Sequence, residues 1–129
     1  MDKLIATVAG IAAMIATIML IEGVAHAAFP TPPVAGAEMA RIIAMMPAAA
    51  KVLVVLGWFA GPLAGAALAA RLTPWRPAPW IVAGLALAGG VATVVMIPHP
   101  PAMSIAAVAG PLLALWSGVR LGSRTRAAP

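Results

Sequence analysis

Glu22 and His26 stand four residues apart in IEGVAHAAFPTPP, Ile21 to Pro33, where a long apolar run meets a proline cluster. Residues at i and i+4 share one face of a helix, with β-carbons about 6 Å apart. A carboxylate beside an imidazole at the edge of membrane-like sequence is equipped to bind a proton, a cation or a polar ligand. Lys51 can pair with Glu22, and His99, in MIPHPP, closes another apolar run in the same way. Glu22, His26, Lys51 and His99 are therefore the candidate ligand- or proton-binding residues.

Metal binding is a second chemistry open to this set. Imidazole with thioether suits copper, and imidazole with carboxylate suits zinc or another divalent ion. His26, His99, Met19, Met96 and Met103 are the candidate ligands, although their spacing matches no ligand motif. A plainer account makes Glu22 and His26 interfacial groups that hydrate one another, with the methionines as packing. Enzyme signatures are lacking: neither Ser104 nor Ser117 lies in a nucleophile elbow, and no glycine-rich phosphate loop follows a strand.

Composition decides what surrounds these residues. Hydrophobic residues make up 64% of the 129 and charged residues 9%, with a mean hydropathy of +1.07. A soluble domain of this size carries about a quarter charged residues, so much of this chain must face lipid. Eight Lys and Arg against three acids give a formal charge of +5. The basic residues sit singly or in pairs at the edges of apolar runs and form no patch, which excludes a nucleic-acid partner. There is no cysteine, so disulfides and thiolate metal sites are excluded too.

Uncharged runs cover Leu4–Ile21, Val52–Ala70, Pro77–His99 and Pro101–Val119. Each approaches the ~20 residues that cross ~30 Å of hydrocarbon as a helix. The expected fold is an all-α integral membrane protein, a four-helix bundle in a single domain over 1–129. Its spans fall at about 4–26, 47–72, 78–97 and 101–121, followed by a basic, frayed tail over 122–129. Lys3, Arg71, Arg76, Arg120, Arg124 and Arg126 fall on one side, Arg41 and Lys51 on the other. The positive-inside bias then puts both termini in the cytoplasm, with Trp75, Trp80 and Trp116 as an aromatic belt. A short, alanine-rich, multi-pass chain of this kind fits a bacterial inner membrane.

Two other segments need placing. Lys3, an apolar stretch and Ala25-His26-Ala27 imitate a cleavable secretory signal. The run is longer than the usual apolar region of roughly 7–15 residues, and Glu22 is out of place so near a cleavage site, which favours an intact span. Residues 34–46 carry Glu38 and Arg41 among Met39, Ile42, Ile43, Met45 and Met46. That pattern fits a short helix on the outer surface, apolar side down, as a connector or a flap over Glu22 and His26.

Small residues four apart mark where backbones can approach. Gly57, Gly61 and Gly65 form one seam, Gly110 and Gly118 another, and Gly84 with Ala88 and Ala92 a third. Pro62 and Pro111 interrupt the first two, and each is expected to kink its helix. The prolines also belong to a repeat. Ala60-Gly61-Pro62-Leu63 precedes Arg71-Leu72, and Ala109-Gly110-Pro111-Leu112 precedes Arg120-Leu121 at the same interval. Pro30-Thr31-Pro32-Pro33 and Pro98-His99-Pro100-Pro101 precede the two blocks. Two parallel-repeat helical hairpins about an axis along the membrane normal would produce this pattern.

The expectation for function is a non-enzymatic membrane subunit or oligomeric packing module, in contact with lipid and with itself or other subunits. The second and fourth spans would supply its contact faces. The alternative is a small transporter or an ion-, metal- or ligand-binding protein built on Glu22, His26 and His99. It requires Glu22 to face the bundle interior.

Overall fold

The computed structural model describes residues 2–30 and 39–127. Among the described residues five helices follow one another: α1 (Lys3–Ala28), α2 (Met39–Met45), α3 (Ala48–Leu72), α4 (Pro77–Met96) and α5 (Pro101–Ala127). Four of them, 26, 25, 20 and 27 residues long, are long and apolar enough to cross a membrane. The fold is an all-α four-helix membrane bundle, and the bilayer is its solvent. Of the predicted surface segment 34–46, α2 is the described part. Residues 34–38, Glu38 included, lie outside the described residues.

Local chemistry sets the ends. The Asp2 carboxylate accepts from the Leu4 N–H at 3.2 Å and caps α1. α1 stops where Phe29 donates to the Ala25 carbonyl and Pro30 follows. Pro47, Pro77 and Pro101 stand at the starts of α3, α4 and α5, where a missing N–H has no consequence. The hydroxyls of Thr7, Thr17 and Thr93 each donate at 2.8 Å to the carbonyl four residues back, which satisfies them without water. At its other end α5 outruns expectation. The tail is helical to Ala127, since nothing before Pro129 breaks the helix and Gly122 packs against Ala67 and Ala70.

The interior is built from small residues. Ala6, Ala66, Ala69, Ala78, Val82 and Ala114 are fully enclosed, while Leu4, Ile15, Leu20, Leu85, Val95 and Leu113 point outward. That inversion of the soluble pattern follows from lipid being as apolar as leucine, which leaves close backbone packing as the cohesive force. α3 is the centre, flanked by α1 and α5, with α4 packing on α3, α5 and α1.

The α3 seam faces α1. A β-carbon on Gly65 would stand 2.5 Å from the Gly10 carbonyl oxygen, and one on Gly61 would meet the Ile18 side chain and lie 3.0 Å from the Met14 carbonyl. Gly57 is looser, 3.6 Å from Ile21. The α5 seam faces α3: a β-carbon on Gly118 would stand 3.0 Å from the Leu63 carbonyl, and one on Gly110 3.5 Å from the Trp58 carbonyl. Both seams are thus engaged within one chain.

The third seam turns outward. Among the described residues nothing lies within 4 Å of a β-carbon placed on Gly84, and Gly84, Ala88 and Ala92 are all exposed. The inward row of α4 is Ala78, Val82, Ala86 and Gly90, two residues out of phase. Gly90 fits against Ala107 of α5, with the Ala107 carbonyl 2.7 Å from a β-carbon there.

The two hairpins do not pack as equivalents. Gly61 meets Met14 and Ile18 of α1, its partner in the first hairpin, whereas the matching Gly110 meets Trp58 and Phe59 of α3 rather than α4. α3 sits in the middle of the bundle and α5 at its edge, so a two-fold axis relating the hairpins is absent from the packing.

Candidate functional site

The predicted polar residues lie at one end of the bundle without converging. Glu22 and His26 are exposed on the last turns of α1, and neither has a hydrogen-bond or ion-pair partner among the described residues. Lys51 does not reach Glu22. Its ammonium donates to the Ala44 carbonyl at 3.3 Å, tying the end of α2 to the first turn of α3. His99 is held in the α4–α5 link, where Nδ1–H donates to the Ile97 carbonyl at 2.6 Å. Its ring meets Trp58 edge-on, with centroids 5.8 Å apart and planes at 64°. That bond requires the proton to sit on Nδ1.

The thioethers are split. Met19 and Met96 are 67% and 80% exposed, while Met103 is buried. Among the described residues no three His, Asp or Glu side chains come together. The requirement that Glu22 face the interior is not met either, because its helix turns Ile18, Ile21 and Ala25 inward instead.

A cavity of about 260 Å³ lies deeper, near the middle of the bundle. α1 contributes Met14 and Ile18 to its wall, and α4 contributes Leu85, Gly89 and Thr93. α3 and α5 contribute their internal prolines, each with the residue four positions before it: Trp58 with Pro62, and Ala107 with Pro111. Proline has no N–H, so the carbonyls of Trp58 and Ala107 lack their helical donors. Each of those carbonyls is turned toward a glycine of the next helix, Trp58 toward Gly110 and Ala107 toward Gly90. A glycine Cα–H is a weak substitute for an amide donor.

The lining thus brings together two residues whose carbonyls lack a helical donor and the Thr93 hydroxyl, with no titratable side chain. Its volume lies between the ~150 Å³ that takes one benzene ring and the ~300 Å³ at which ordinary ligand sites begin. Sequence reasoning finds both prolines and their depth. The shared cavity is hidden from it, because only packing brings Pro62 and Pro111 to one wall.

At the opposite end, the Lys3 ammonium lies 5.9 Å from the Trp75 ring centroid, and the Arg120 guanidinium lies 3.7 Å over the Trp116 ring. Trp80 and Trp116 are 63% and 59% exposed, as interfacial tryptophans are. Searches against protein-family models, curated proteins and solved structures return no match to this chain.

Proposed function

We propose that this chain is a small non-enzymatic membrane subunit that associates with another transmembrane helix, from a second copy or a different subunit, through the outward face of α4. The observation that carries the reading is the row Gly84, Ala88, Ala92, exposed between Ile81, Leu85, Val91 and Val95. Small residues between larger ones form the shallow groove in which transmembrane helices associate. The glycine seams of α3 and α5, first expected to serve this purpose, are engaged inside the chain, which leaves α4 to carry it. The distribution of basic residues supports a bacterial inner membrane with both termini in the cytoplasm.

Cross-linking tests the reading, and the absence of native cysteines makes it clean. Ala88→Cys should yield a disulfide-linked dimer or a hetero-adduct in membranes, and Gly84→Leu should abolish it. A chain that stays monomeric and partnerless in native membranes, with Ala88→Cys unreacted, would sink the proposal.

A second reading rests on the cavity walled by Pro62 and Pro111, as a site for a small uncharged ligand. It replaces Glu22, His26 and His99 with the carbonyls of Trp58 and Ala107 as the recognising groups. Gly89→Leu is the test: it places a side chain at the exposed rim of the cavity, and ligand-dependent stabilisation should weaken.

A further inference from the structure

Two hollows open side by side between α4 and α5 at the Lys3 end. One, about 410 Å³, is walled by Arg76 and the Thr73–Trp75 turn; the other, about 340 Å³, by Leu112, Trp116 and Arg120. Trp80 and Val119 border both, so the two form one groove with a waist. Its upper part is the more polar of the two and lies beside the loop that joins α3 to α4. Its lower part is apolar and runs down the flank of α5. From Arg120 to Leu112 the groove descends about 12 Å at 1.5 Å per residue.

A guest that fills both parts must be an amphiphile, polar at Arg76 and apolar below Trp80. In a bilayer that describes a phospholipid. Charge selects which one. Arg76 and Arg120 both border the groove, and Arg124 lies one turn beyond Arg120. Asp2, the one acid at this end among the described residues, is engaged as the cap of α1. The Arg120 guanidinium lies over the Trp116 ring, and a guanidinium so placed can still offer its in-plane N–H edge for a bidentate contact with phosphate.

We infer that this groove binds one anionic phospholipid. Its phosphate lies between Arg76 and Arg120, and one acyl chain runs past Trp80 and Val119 along Leu112 and Trp116. Arg76 and Arg120 are both exposed, so replacing them leaves the bundle intact. The site is independent of the α4 contact face and of the central cavity, and it survives the failure of either.

The test is native mass spectrometry of the full chain released from nanodiscs of mixed phosphatidylglycerol and phosphatidylcholine. One phosphatidylglycerol should be retained in preference to phosphatidylcholine. The Arg76→Gln/Arg120→Gln pair should lose that preference by about fivefold per arginine. The Arg41→Gln/Lys51→Gln pair, which removes the same charge at the other end, should keep it. Val119→Trp should block retention with every charge in place. Equal retention of the two lipids, or equal loss in the two double variants, would overturn the inference. So would displacement of the lipid by inorganic phosphate, since that would mark a simple anion site.

Discussion

Gly10 of α1 and Gly65 of α3 face each other reciprocally: each carbonyl oxygen stands where the other residue's β-carbon would be, at 2.8 and 2.5 Å. Val82 of α4, fully buried, closes the junction from the side, with its two methyl carbons 3.0 and 2.8 Å from the same two positions. Three helices thus meet at a point that admits no side chain on two of them. This junction fixes the depth at which α1, α3 and α4 register against one another.

Substitution along the α3 seam should follow those distances. Gly65→Ala places a methyl group against backbone and should destabilise the bundle by about 1–3 kcal/mol, the usual magnitude of overpacking. Gly57→Ala meets Ile21 at an ordinary contact distance and should change stability by less than about 0.5 kcal/mol. Unfolding in mixed micelles gives both values, and equal effects would mean that the seam is not the tight contact described.

The two open glycines of α4 separate the surface from the cavity. Neither Gly84 nor Gly89 has a neighbour within 4 Å of its β-carbon position among the described residues, so Leu at either should fold. Gly84→Leu should remove association and leave the cavity open. Gly89→Leu should crowd the rim of the cavity and weaken the binding of 4-fluorophenol, followed by ¹⁹F NMR in nanodiscs, by roughly tenfold. Fluorobenzene, which lacks the donor, should bind wild type about tenfold more weakly than 4-fluorophenol. Equal binding of the two probes would deny the carbonyls of Trp58 and Ala107 their role.

His99 and Glu22 should behave oppositely on mutation. His99→Ala removes a hydrogen bond and an edge contact with Trp58, and should lower stability by about 1–2 kcal/mol. Glu22→Gln and His26→Ala alter exposed groups without described partners and should stay within about 0.5 kcal/mol. Thermal unfolding of the three variants decides it. A large loss in Glu22→Gln would restore that carboxylate as a built-in site.

Lys51→Met keeps the apolar stem and deletes the donor to Ala44. Amide hydrogens of α2 (Met39–Met45) should then exchange several-fold faster, with those of α3 unchanged. Unaltered exchange would leave α2 held by Ile43, its buried residue, alone.

The spans, the bounding prolines and the spacing of the glycine seams were legible because each rests on local sequence: hydropathy, missing N–H groups, and spacing by four. α4 shows where that legibility ends. Its small residues fall into two rows, Ala78-Val82-Ala86-Gly90 and Gly84-Ala88-Ala92, both at the spacing that favours close packing. Periodicity cannot choose between them; the choice depends on which row meets Gly10, Gly65 and Ala107. The polar residues are a related case. Glu22, His26, Lys51 and His99 do share one end, but depth along the membrane normal carries no information about position around the bundle.

The central place of α3 also has a consequence for biogenesis. The chain enters the membrane N-terminus first, so α1 and α3 can lock through Gly10 and Gly65 before the last span exists. The opposite side of α3, with Ala66, Ala67 and Ala70, stays against lipid until α5 brings Gly118 and Gly122 to it. A nascent chain ending before Pro101 therefore holds a finished interface and a vacant one on the same helix, and the vacant one is open to capture by any other small-faced span.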